Sequence, residues 1–193
     1  MRHYALYNER FNKRAEMTVR MTYLCPGRKT FEVLSESGSS IIRQRVLRRM
    51  LEAEEEASRD DLRLHNQMTS ANYDFVLLRT ELQQGRRSFR LSVAPKRSNK
   101  FLIRGTVWVD TEDYSIVRVE GTPAVNPSRF IRNTAIVYTF GKIGPFWFPE
   151  TNNSETDSFL FGRTKVTVAY SNYEVRQTSA LPAGIPPVAV SEK

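Results

Sequence analysis

Apolar and polar residues alternate along most of this chain. Ala15, Met17, Val19 and Met21 alternate with Glu16, Thr18, Arg20 and Thr22, and Phe89, Leu91 and Val93 with Ser88, Arg90 and Ser92. Val166, Val168 and Tyr170 alternate in the same way with Lys165, Thr167 and Ala169. A period of two places the two sets on opposite sides of a pleated strand, so these segments read as strands with one buried and one wet face. Further strands are predicted at 4–10, 29–35, 73–82, 101–109, 114–121, 134–141, 145–149, 159–163 and 172–176. Their short, regular spacing makes them antiparallel neighbours in a meander. Gly85-Arg86 marks one hairpin turn, Ser98-Asn99 breaks the chain after Pro95, and NNSETD at 152–157 reads as another turn.

One stretch departs from this period. Residues 39–60, SSIIRQRVLRRMLEAEEEASRD, carry apolar side chains at 41, 42, 46, 47, 50, 51 and 57, which is helical spacing, with Gly38 and Ser39 or Ser40 as the start signal. About 19 helical residues span ~28 Å. That matches the width of roughly six strands, so the helix over 40–58 is expected to lie across the sheet as a lid. Its charges run against the macrodipole, with arginines first and glutamates second. Pairs such as Arg48 with Glu52 offset part of that cost. The arginine-rich half is either a solvated face or a surface for an anionic partner. Residues 1–177 are expected to form one domain, and the Pro- and Gly-rich 178–193 a flexible tail.

Composition narrows the class. The chain has 193 residues, 40% apolar and 26% charged, enough for one domain with a sizeable core. No apolar run reaches the ~18–20 residues of a membrane-spanning helix. The opening MRHYALYNERFNKR lacks a charged-then-apolar leader pattern and reads as a strand already under way. A single cysteine, Cys25, excludes an internal disulfide and is expected to be a semi-buried turn residue. The net charge of +8 favours anionic partners. It is spread along the chain, with short clusters only at Arg43–Arg49, Arg86-Arg87 and Lys96–Lys100.

Candidate chemistry is sparse. Asp110, Glu112 and Asp113 in DTEDY could hold a cation, but they sit between two alternating strands, where acidic residues cap the amides of a hairpin turn. The two histidines, His3 and His65, have no neighbouring nucleophile motif, and no phosphate-binding loop is present. No catalytic residues, metal site or cofactor are therefore assigned. Aromatics near basic residues, as in SRFIR, fall mostly at inward strand positions, so nucleic acid is not an expected partner. In GPFWFPE three consecutive aromatics cannot share one face, which leaves Trp147 either packed or projecting into a cavity. Leu102 and Trp108 lie opposite Phe101, Ile103, Val107 and Val109, so this part of the sheet is expected to be covered on both sides.

The succession NYDFVLL, GRRSFRLSVAPK, KFLIRGTVWVDTEDYSIVRVEGTP, IGPFWFPETNNSE and GRTKVTVAYSNYEV resembles the bacterial outer-membrane lipoprotein-sorting (LolA-like) superfamily. Its strand pair is matched by Gly105, Val107, Trp108, Val109 and Asp110, then Arg118 and Glu120, with the similarity strongest over 70–176. The family's signal peptide and N-terminal helix find no match here. The resemblance implies an open antiparallel β half-barrel with a helical lid over an apolar concave face, and a periplasmic, non-enzymatic role. The implied ligands are lipid or the acyl chains of a lipoprotein, with membrane-associated envelope proteins as further partners. Met17, Val19, Leu91, Val93, Val107, Val109, Val117 and Val168, with Trp147, are the expected ligand-lining positions. The alternative is an interaction or envelope-stress sensor domain of the same fold, working through a sheet edge or the Arg43–Arg49 helix face without carrying lipid.

Overall fold

The computed structural model describes residues 1–24, 28–59, 64–126 and 128–175; Cys25 and the 178–193 tail lie outside them. Ten antiparallel strands form one open sheet: β1 (Arg2–Asn8), β2 (Lys13–Leu24), β3 (Arg28–Gly38), β4 (Tyr73–Gln83), β5 (Arg86–Pro95), β6 (Ile103–Asp110), β7 (Ile116–Pro123), β8 (Ile131–Ile143), β9 (Phe146–Ser158) and β10 (Gly162–Tyr170). Their order is β3-β2-β1-β10-β9-β8-β7-β6-β5-β4. Each strand pairs with its sequence neighbour except at one place. The expected meander is cut between β3 and β4, which form the two edges, and its ends are joined at the β1–β10 pair.

The helical stretch leads away from the β3 edge as α1 (Ser40–Ile42), a π-helical turn (Arg43–Leu47) and α2 (Arg48–Ala57). Gly38 precedes it at φ +78°, with the Arg14 carbonyl where a Cβ would stand, so only glycine makes this turn cheaply. The π turn explains the packing. Ile42, Leu47 and Leu51 are buried while Val46, the α-helical partner of Ile42, is exposed. The wider turn advances the stripe by one residue so that 42, 47 and 51 face the sheet together.

Those three side chains pack with Tyr4, Leu6, Ala15, Met17, Val19, Val166 and Val168. The helix therefore covers β1, β2, β3 and β10, four strands where its length allows about six. A second core cluster lies on the other half: Tyr73, Val93, Leu102, Val107 and Val119, with Met68, Phe75, Leu91, Ile103 and Val109 against it.

Three other expectations change. NNSETD is the interior of β9, paired on both sides with β8 and β10. Residues 159–161 form the β9–β10 turn, and 171–175 are not a strand; Tyr173 instead stacks on Phe148 with centroids 4.4 Å apart. Finally, no second layer covers Trp108 among the described residues. Leu102 turns into the same cluster as Val107, because the chain before Ile103 has not yet entered β6. Trp108 is buried by the guanidinium groups of Arg90 and Arg118, 5.2 and 5.7 Å from its ring, and its Nε1 donates to Glu81 Oε1 at 2.6 Å.

Candidate functional site

Strand register puts one row of side chains across the whole sheet. From β3 to β4 it reads Glu36, Met17, Tyr4, Val168, Asn152, Tyr138, Val119, Val107, Leu91 and Leu77. Cross-strand partners share a face, so this row samples the side on which the helix lies. Apart from Glu36 at the β3 end, it is apolar in both halves and polar between them, at Asn152 and Tyr138.

Under the helix the row is closed. Met17, Val19 and Val168 are fully buried there. Ion pairs hold the cover in place. Arg43 and Arg48 both reach Glu36, each at 3.1 Å, and Lys100 meets Glu56 at 3.6 Å. Arg48 thus serves Glu36 on β3, not Glu52 on its own helix. The reversed charge order of the helix is compensated by the sheet and its loops.

The strongest tie joins helix to sheet near the polar stretch. Glu54 accepts from both guanidinium nitrogens of Arg2, at 2.5 and 2.9 Å, and from Lys29 at 2.7 Å. Arg2 also donates to the Tyr4 hydroxyl at 3.2 Å and lies over the rings of Tyr170 and Phe31. Burial works against the charge of Arg2, but the hydrogen bonds and charge of Glu54 outweigh it and raise its pKa. Burial likewise opposes the Glu54 carboxylate, and Arg2 and Lys29 together bring it below its ordinary value. Burial pushes the nearby Tyr138 phenol up to about 12, with the negative charge of Glu54 adding to the effect.

Beyond this hub the apolar face emerges into solvent. Val93 and Val107 are covered by Leu102 and Tyr73, but Leu91 and Val109 are only half-buried, and Leu77 on the edge strand is exposed. Leu82, two positions from Thr80, the partner of Phe89, is exposed as well. Two open clefts flank the end of α2. One, about 590 Å³, is lined by residues including Arg28, Lys29, Glu52, Glu55 and Arg59; the other, about 310 Å³, by Tyr23, Glu54, Asn66, Gln67 and neighbours. Their walls are mostly charged or amide-bearing, suited to water and polar groups more than to an alkyl chain.

The nine expected lining residues therefore fall into separate places. Met17, Val19 and Val168 lie beneath the helix, and Leu91, Val93, Val107 and Val109 lie on the other half. Val117 is buried but groups with neither cluster. Trp147 donates its Nε1 to Asp113 Oδ2 at 2.8 Å, and Lys142 meets the same oxygen at 2.7 Å, so the indole braces the β6–β7 turn.

That turn is DTEDY. Asp110 is fully buried, accepts from Arg86 at 2.6 and 3.1 Å, and caps the amides of Glu112 and Asp113. Arg86 also bonds Glu112 at 2.8 Å. Each carboxylate already has a cationic side chain, and no group of three or more potential ligands among the described residues is arranged for a metal. His3 faces Thr18 on the outer side. Arg2, Glu54, Tyr138 and Leu77 were missed in the sequence. The signal for the first two was a charge in phase with a buried stripe: Arg2 shares the period of Tyr4 and Leu6, and Glu54 follows Leu47 and Leu51 at helical spacing.

No family model matches this chain, and no curated protein matches it. Similar solved structures include an outer membrane lipoprotein-sorting protein domain of Vibrio parahaemolyticus, 11% identical, with a TM-score of 0.42 over 89% of this chain and 81% of that one. A LolA superfamily protein of Nitrosomonas europaea is 10% identical, with a TM-score of 0.38 over 92% and 84%.

Proposed function

We propose that the protein is a non-catalytic periplasmic binding protein that carries an acyl chain, from a lipoprotein or a free lipid, on this face of the sheet. The observation that carries the reading is the row from Met17 to Leu77: apolar in both halves, sealed by a helix on one side and open on the other. An alkyl chain first lies along Leu77, Leu91 and Val109. It then extends toward Met17, Val19 and Val168 as the helix lifts. Removal of apolar area from water, at about 25 cal/mol per Å², supplies the driving force, and the basic surplus of the chain favours an anionic headgroup. The helix is held at its ends by ion pairs and along its length by three apolar side chains, a cover that can be displaced as one piece. Val93, Val107 and Val117 support the surface from below, and Trp147 stiffens the hairpin beside it.

The test is native mass spectrometry of the purified protein together with titration of a fluorescent fatty acid. Co-purified lipid and saturable probe binding are expected. Leu91→Lys should weaken the probe, and Leu51→Ala, which loosens the helix, should increase its uptake. A protein that carries no lipid and ignores the probe in all three forms is not a carrier.

A second reading is favoured by the β4 edge, where Val76, Leu77 and Leu78 are exposed on a strand with one free side. Such an edge can accept a strand from a protein partner, as a sensor domain would. Lipid-independent capture of a partner, lost on Val76→Lys and Leu78→Lys, would select it.

A further inference from the structure

Three turns meet at one corner of the sheet and carry apolar tips. They are the β1–β2 turn with Phe11, the β7–β8 loop with Phe130, and the β9–β10 turn with Phe159, Leu160 and Phe161. All five side chains are 42–57% exposed. Turns ordinarily carry polar residues, and a contiguous exposed FLF is the reverse. The turns are built into one body. Arg10 donates to the carbonyls of Phe159 and Leu160 at 3.3 and 3.0 Å, Asn8 Nδ2 to that of Phe161 at 2.8 Å, and the Phe159 amide to Phe130 O at 3.0 Å. Gly162, at φ +64°, lets the chain turn back tightly beside Arg10. These bonds tie the three turns together while their apolar side chains stay exposed.

The surrounding charge is net basic, because the carboxylates of Glu9, Glu155 and Asp157 are each paired with a cation, from Lys165, Arg163 and Arg132. Arg132 lies over the Phe159 ring at 4.1 Å, Arg129 over Phe130 at 5.2 Å and Arg10 over Phe11 at 5.8 Å. Arg132 and Arg163 have the partners Asp157 and Glu155. Among the described residues, neither Arg10 nor Arg129 is paired with a carboxylate.

We propose that this corner is a bilayer-docking surface for an anionic membrane. The rings and Leu160 enter the boundary between headgroups and acyl chains, while the arginines stacked on them engage lipid phosphates. Aromatic and aliphatic tips among arginines match that boundary on both counts: apolar area is buried just below the headgroups, and cations remain at phosphate depth. A second copy of the chain fits poorly, because a two-fold contact would set this basic corner against itself. The inference stands apart from the carrier reading, since a sensor domain could dock in the same way.

Co-sedimentation with vesicles tests it. The full chain should sediment with vesicles of phosphatidylethanolamine and phosphatidylglycerol and far less with phosphatidylcholine alone. Phe159→Ser with Phe161→Ser should lower partitioning by about tenfold or more, and Arg129→Glu with Arg132→Glu should abolish the preference for anionic lipid. Ile143→Ser, exposed at the far end of β8, should change nothing. Phe161→Trp should show a blue shift in emission on adding anionic vesicles, a readout independent of yield or fold. The proposal is overturned if the wild-type chain stays in the supernatant, if both double variants bind as it does, or if Ile143→Ser is equally damaging. It is also overturned if the corner proves to bind another protein or a second copy while ignoring lipid.

Discussion

The two halves of the sheet are built from the same kind of strand and end in different states. In the half formed by β1, β2, β3 and β10, Met17, Val19 and Val168 are sealed beneath Ile42, Leu47 and Leu51. In the half from β4 to β7, alternation is just as regular, yet Leu91 and Val109 are only half-buried and Leu77 is open. Period two sets which side chains share a face. Whether that face is dry depends on where the one helix lands, and its contacts fall on the β3 side. In the carrier reading proposed above, the uncovered half is where an acyl chain meets the protein first.

The largest effect that would break this contrast is loss of the seal. Leu47→Ala leaves a cavity under the helix and should cost about 3 kcal/mol in chemical denaturation. Leu91→Ala, half-exposed before the change, should cost about 1 kcal/mol. Equal losses would mean that the two halves are equally packed.

Next comes the Glu54 hub. Glu54→Gln leaves Arg2 buried without its counter-charge and should cost about 2 kcal/mol, measured in the same way. The pH dependence has a definite sign. The folded-state pKa of Glu54 is depressed below its ordinary 4.5, so its stabilising contribution is fully present above that value. The contribution fades as pH falls below it toward the folded pKa. Hydrogen exchange should show α2 loosening on acidification before β5 and β6 do, and Glu54→Gln should remove that difference.

A smaller loss, about 1 kcal/mol, is expected for Asp110→Asn, which keeps an acceptor in the turn but removes the charge facing Arg86. If it instead abolished a ligand or metal affinity while leaving stability unchanged, DTEDY would be a site and not a brace. The smallest effect belongs to Leu77→Ser. It should leave stability within about 0.5 kcal/mol while weakening the fatty-acid probe, because this residue sits on the open face and supports little.

How much of this was legible in the sequence depends on what each residue answers to. The hairpin FLIRGTVWVDTEDYSIVRVEG was readable, since alternation and turn chemistry point the same way. The extent of the helix was readable too, but not its landing place: the π turn that swaps Val46 for Leu47 is a response to the sheet beneath it. NNSETD and FLF were misread as a pair, for opposite reasons. The first has turn composition, but β8 and β10 pair with it on both sides, and Thr134–Thr156 and Thr139–Thr151 hydroxyl contacts satisfy its neighbourhood. The second has strand composition and serves as a turn. Trp108 gave a false sign of a second layer because arginines can bury an indole as well as aliphatic residues can.

The cut in the meander has a kinetic consequence. Every strand pair but one joins segments close in sequence, and these hairpins can form early. The β1–β10 pair joins residues about 160 positions apart, with Arg2 opposite Tyr170 and the Met1 amine on Ser171 O at 2.7 Å. Loop-closure entropy must be overcome there before the contact rewards it. The topology thus predicts two local zippers closed by one late stitch that limits the folding rate. Joining Ser171 to Met1 and opening the chain between β3 and β4 would turn the late stitch into an ordinary hairpin and speed folding without moving a strand.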